Sequence, residues 1–303
     1  MEQIQNNRVI TDLYRENAQF PGIALDGSDV YLCWQRFVDR HDSLMASCRR
    51  GDEVVWEREI SDGGEVLHPV ILAHGGAIWY AWSEYARENW RILARCYRDG
   101  QWGEVLTVAS GEALFFPRLF TWQGKLHVIW TEQHKGSAAA VLCPLTEAGP
   151  GAAETVSAVG EAYRAGAAEG GDGNLYVAYD GFDGKQYKLF ARARTAAGWS
   201  EEIVVSQGED WASTPWIAAK PDGAVVGWYD YGYMAVYSVR SADLTVRDGA
   251  LAAVNPQCLK EGVDWYLDLH VASNSSGLQA MAYTRSKYDV LVCTRQGNGP
   301  WSR

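Results

Sequence analysis

Short runs of alternating apolar and polar residues fill the chain, separated by turns rich in Gly and Asp. No segment sustains an apolar period of 3.6, so the pattern predicts strands and not helices. The stretch from Pro21 to Trp34 reappears from Pro69 to Trp82 and again from Pro117 to Trp130. Looser copies end at Tyr179, Trp228 (from Pro215) and Tyr283, which sets the intervals between terminal aromatics at 48, 48, 49, 49 and 55 residues. Each copy reads as a strand, a Gly-bearing turn and a second strand ending in Trp or Tyr. A polar loop follows, then a third strand such as Arg91 to Cys96, a turn such as Asp99-Gly-Gln-Trp102, and a fourth strand such as Glu104 to Val108. Four antiparallel strands in under 50 residues make one propeller blade.

The expected fold is therefore all-β, one domain over residues 1–303. It is a six-bladed β-propeller with blades at about 15–61, 62–110, 111–157, 158–206, 207–255 and 256–303. The last repeat stops at Gly299-Pro-Trp-Ser-Arg303, where its fourth strand should begin, and a surplus strand, Arg8 to Thr11, precedes the first. Pairing that strand beside Val290 to Thr294 would close the last blade and cover an exposed edge.

Composition narrows the functional classes. Fourteen Trp and sixteen Tyr against seven Phe suit half-buried strands that present a polar handle. The net charge of -11 argues against a nucleic-acid partner, which needs a basic footprint. No apolar stretch of about 18 residues suggests a membrane span. The start, Met1 to Asn7, lacks the basic head and apolar core of a secretion signal, which implies a cytoplasmic protein. Cys48, Cys96, Cys143 and Cys293 recur on third strands of four repeats, too far apart to bridge, and all six cysteines are expected as reduced, non-catalytic thiols. Nothing in the sequence sets an oligomeric state.

Arg98-Asp-Gly-Gln-Trp102 and Ala197-Gly-Trp-Ser200 resemble worn copies of the Asp-box turn, Ser-x-Asp-x-Gly-x-x-Trp. The chain thus resembles the sialidase-like propellers with bacterial-neuraminidase repeats. That resemblance implies a carbohydrate-active enzyme or a sugar-binding protein, and the fold alone does not choose between them.

Equivalent repeat positions must face one mouth, which selects the candidate residues. Two residues beyond the repeat aromatic stand Arg36, Glu84, Glu132, Asp230 and Arg285; one residue beyond stands Tyr229. Before the repeat Pro, the inner strands offer His68, Arg164 and Asp268, and two residues on they offer Arg118, Trp216 and His270. A channel built only for packing would be lined with small apolar side chains, so this mixture marks a ligand site. In the leading reading, a glycoside hydrolase or lyase acts on a small acidic saccharide. Glu84, Glu132 and Asp230 supply acid and base, His68 is a lyase base, and Arg36, Arg164 and Arg285 hold the carboxylate. Arg118, Trp216, Tyr229, Asp268 and His270 complete the binding surface.

Two alternatives stand beside it. One is a non-catalytic sugar- or protein-binding propeller. The other is a lactonase-like hydrolase with calcium or magnesium held by Glu84, Glu132, Asp230 or Asp268. No nucleophile elbow, phosphate loop, paired Cys-x-x-Cys or His-Glu-x-x-His occurs, so no dinucleotide or other organic cofactor is expected.

Overall fold

The computed structural model describes residues 17–61, 63–232, 237–263, 269–286 and 289–302. The fold is a six-bladed β-propeller, with six antiparallel sheets and no helix among the described residues. It divides into two compact units, Met1–Ser110 with blades one and two, and Gly111–Arg303 with blades three to six. The expected closing strand, Arg8 to Thr11, lies outside the described residues.

In the first unit, blade one runs Asn17–Asp26, Asp29–Val38, His41–Arg50 and Glu53–Glu59. Blade two runs Glu65–His74, Ala77–Ala86 and Asn89–Arg98, with an outer strand broken into Gln101–Trp102 and Leu106–Gly111. In the second unit, blades three and four have inner strands Ala113–Trp122 and Ala162–Glu169, and they share this broken outer strand. Blade five begins with Trp211–Lys220 and ends with the 14-residue strand Ala250–Val263, which absorbs the longer last interval of the repeat. Blade six shows three strands, from Leu269–Ser273 to Asp289–Gln296.

The repeat aromatic has a structural reason. In five blades the inner strand carries a β-bulge, and the two bulged residues oppose that aromatic: Phe20 and Pro21 face Trp34, His68 and Pro69 face Trp82, Phe116 and Pro117 face Trp130, Arg164 and Ala165 face Tyr179, and Thr214 and Pro215 face Trp228. Proline suits a bulge because it lacks the ladder N–H. The first bulged residue is left-handed each time: Phe20 (φ 51°), His68 (53°), Phe116 (55°), Arg164 (39°) and Thr214 (52°). Such backbone costs a non-glycine residue on the order of 1–2 kcal/mol, so packing around it must hold it in place.

Cores fill the space between successive blades. Trp82, Tyr80, Leu44 and Ile60 bury the joint of blades one and two. In the second unit, Ile129 with Tyr179, Tyr176 with Trp228, and Tyr229 with Met281 do so for the three successive joints. Fully burying each such side chain contributes roughly 2 kcal/mol or more. None of the six cysteines is in a disulfide, and five are buried. Burial pushes the Cys33 and Cys143 thiols up to about 12 and about 11, which suppresses the reactive thiolate. The recurrence is looser than the sequence suggests. Cys48 and Cys96 pair with the residue three before the repeat aromatic, Cys143 and Cys293 with the residue two before it.

The turn tryptophans are held from the third strand. Asp99 and Gly100 are both left-handed (φ 50° and 80°), as a two-residue turn requires, and they deliver Trp102. Arg95 lies 5.3 Å from that indole and donates to Gly103 O (2.8 Å) and, across the blade joint, to Ile60 O (3.4 Å). Arg192 repeats the arrangement with Trp199, donating to Ser200 O (3.0 Å) and Val156 O (2.8 Å). A charged donor to a carbonyl is worth about 1.5–3 kcal/mol, so Arg192→Ala should lower the unfolding free energy by about 2 kcal/mol. Urea denaturation checks this, and a loss below about 0.5 kcal/mol would show the clasp to be surface decoration.

Candidate functional site

Because first and second strands are antiparallel, the start of each inner strand lies beside the end of the second strand. Side chains from both therefore meet at one end of a blade. In the first unit this end of blade two holds Glu84, a fully buried carboxylate. It accepts from Trp82 Nε1 (3.2 Å) and pairs with Arg91, its cross-strand neighbour. The backbone of Gly64 presses against it: a Cβ there would lie 2.5 Å from Glu84 Cγ, so only glycine fits without moving the carboxylate. The pair borders an open depression of about 550 Å³, shared with Tyr85 and Arg87. His68 sits on the bulge, its ring 4.9 Å from Phe20. Arg36 reaches Glu59 at 3.7 Å.

The second unit repeats the acid motif in blade five. Asp230 is buried, accepts from Trp228 Nε1 (2.6 Å) and lies 2.6 Å from Arg240 Nε. Burial pushes its carboxyl from the usual 3.8 up to about 6, against the indole donor and Arg240, which favour the charged form. In blade four the acid sits one residue earlier. Asp180 is fully buried and takes Arg164 Nε at 3.1 and 3.0 Å on its two oxygens. Burial raises Asp180 above the usual carboxylate range, with Arg164 opposing it.

Inner strands bring three further candidates together. The Arg118 guanidinium lies 3.7 Å from the centre of the Trp216 ring, and His270 lies 4.1 Å from the same ring. Arg118 belongs to blade three and Trp216 to blade five, so the arginine spans blade four. Blade four has Gly166 at the equivalent position, where a Cβ would lie 3.1 Å from Ile217 Cγ2.

Other sequence candidates take different roles. Tyr229 is fully buried in the joint of blades five and six, its hydroxyl 3.4 Å from Thr284, and it packs the core there. Arg164 is committed to Asp180, and exposed Arg285 pairs with Asp289 on its own hairpin. Glu132 is exposed, unlike Glu84 and Asp230, and the indole N–H of Trp130 beside it stays buried without an acceptor. Asp268 lies outside the described residues. Among the described residues, no three His, Cys, Asp or Glu side chains gather as a metal site would need. Sequence reasoning placed Asp180 at the mouth, one residue beyond the repeat aromatic, without giving it a role, and it missed Arg91, whose part depends on cross-strand pairing. The one-residue shift of the acid, from Ser83-Glu84 to Asp180-Gly181, was the available signal.

No family model matches the chain, and no curated protein does. Solved structures match in fold. NanB, solved with Optactamide, aligns with a TM-score of 0.60 at 7% identity over 91% of this chain and 66% of its own. A puromycin-hydrolyzing peptidase of Mycobacterium tuberculosis aligns at 0.53 with 15% identity, over 88% of this chain and 42% of its own. MPT-4, a mannose phosphorylase from Leishmania mexicana in complex with phosphate ion, aligns at 0.50 with 8% identity, over 96% and 89%. This chain thus spans under half of that peptidase, and identities this low establish likeness of fold alone.

Asp230 yields a pH prediction. Its folded pKa is raised, so the folded protein binds this proton more tightly than the unfolded chain. The resulting stabilisation is present below pH 3.8 and is lost as pH rises through about 6. Asp230→Asn should remove that component, on the order of 2 kcal/mol, and flatten the stability profile in this window. Melting curves of both proteins from pH 4 to pH 7 test it; parallel profiles would contradict it.

Proposed function

We propose that this chain is a carbohydrate-active enzyme that takes an acidic saccharide at the mouth of its second unit and uses Asp230 as the proton donor. The carrying observation is the Arg118–Trp216–His270 stack. An indole face shields one side of the guanidinium from water and keeps its plane fixed, so the in-plane N–H donors are oriented for a carboxylate. The exposed His270 adds a hydrogen-bonding group beside the same indole. On the same inner strand, Ala212, four residues before Trp216, pairs with Asp230. A buried carboxyl that titrates near 6 can carry a proton at working pH and deliver it to a glycosidic oxygen. Glu84, at the equivalent position of blade two, is the second carboxylate candidate.

Fold likeness to a mannose phosphorylase agrees with a saccharide ligand, while likeness to a peptidase shows that the choice rests on the site and not on the fold. Membership of the sialidase-like group is part of the proposal, supported by the Trp102 and Trp199 turns. One observation favours a second reading, a non-catalytic binding propeller. Glu84 and Asp230 are each already held by an indole and an arginine of their own blade, as purely structural acids would be.

Uronate-containing and neutral oligosaccharides, followed by mass spectrometry, separate the two. Asp230→Asn should cut turnover about a hundredfold or more, as loss of a general acid does. Arg118→Ala should weaken uronates by roughly tenfold or more and leave neutral sugars unchanged. Full activity in Asp230→Asn would remove the acid role, and binding without turnover in the unmodified protein would establish the second reading.

A further inference from the structure

A continuous row of aromatic side chains crosses blades four and five of the second unit at the same end as Asp180 and Asp230. Phe182 and Tyr187 form a cross-strand pair, with ring centres 5.4 Å apart. Tyr187 meets Trp211 across the blade joint at 5.4 Å, Trp211 meets its partner Tyr231 at 5.4 Å, and Tyr231 meets its partner Tyr237 at 5.4 Å. The five rings keep part of their surface in solvent, and Trp211 is 39% exposed.

Cross-strand aromatic pairs do stabilise sheets, but the fold does not call for these. In the same unit, blade three has Gln133 and Ala138 at the positions of Phe182 and Tyr187, and blade six has Ser286 and Asp289 there. The tyrosines that serve packing in these blades, Tyr176, Tyr179 and Tyr229, are fully buried. The row also adjoins the site: Tyr231 follows Asp230 in sequence, and Arg164 feels the phenols of Tyr231 and Tyr187.

We propose that this row is a platform for successive sugar units, so that the ligand is a glycan chain and not a single sugar; this rests on the carbohydrate reading above. Aromatic faces meet the C–H face of a pyranose, while phenol hydroxyls and the indole N–H reach its hydroxyl rim. A flat, two-torsion side chain loses little entropy when it is covered, which suits a preformed surface. The step between rings is comparable to the length of one pyranose, so a chain leaving Asp230 would meet a new ring at each unit.

Calorimetry with oligogalacturonides of one to five sugars, on an Asp230→Asn background that blocks cleavage, tests this. Affinity should rise with chain length, and adding Trp211→Ala should remove about tenfold at the longest chain and nothing for the monomer. Adding Trp211→Phe instead should restore most of the gain. Binding that ignores chain length, or Trp211→Ala binding every length as before with an unchanged melting temperature, would overturn the platform while leaving the carbohydrate reading in place. Failure of every oligogalacturonide and of neutral cello-oligosaccharides to bind the unmodified protein would overturn that reading itself.

Discussion

The bulge in each inner strand is the constraint on which the rest depends. One extra residue opposite the repeat aromatic bends the strand and turns its first member left-handed, a conformation that costs energy unless neighbours hold it. The holding groups are visible. Arg164 N–H donates to Thr131 Oγ1 at 3.1 Å in the preceding blade, and its guanidinium is anchored on Asp180. Phe20 is held by the His68 ring, and the Phe116 ring lies 5.9 Å from the Arg164 guanidinium. The bulged positions thus tie neighbouring blades together within each unit.

Charge burial decides which acids matter. A buried carboxylate is costly unless it is paired, and the two acids of the Trp-x-acid pattern solve this alike, with an indole N–H from two residues earlier and an arginine from the third strand. The solutions are not equal. Arg91 stands directly opposite Glu84, whereas Arg240 stands opposite Trp228 and reaches Asp230 diagonally. Burial outweighs its partners at Asp230, whose carboxyl rises to about 6. A buried carboxyl raised in this way is fit to exchange a proton.

Under the proposed function, the Arg118 stack and the aromatic row divide the work of recognition. Arg118 reaches from the inner strand of blade three to Trp216 on the inner strand of blade five. The row uses hairpin ends, where the blade tolerates either polar or aromatic pairs. Under the proposals above, the first would set charge preference and the second length preference.

Period, strand alternation and the Pro-to-aromatic spacing determined the fold by themselves, because a blade is a local antiparallel unit whose burial pattern repeats along the chain. The sequence also selected one face and placed Asp230, Arg118, Trp216 and His270 at recurring repeat positions, the last three of which the structure brings together. It could not tell that Tyr229 packs in the core, since neighbouring residues on a strand point to opposite sides and the bulge shifts that alternation. It could not see that Arg164 and Arg285 were already spoken for by Asp180 and Asp289. Those pairings, the rise of Asp230 and the joining of Tyr187 to Trp211 across a blade joint arise from contacts between residues distant in sequence. Only tertiary structure decides them, because desolvation and charge pairing depend on which side chains the folded blades bring within a few ångströms.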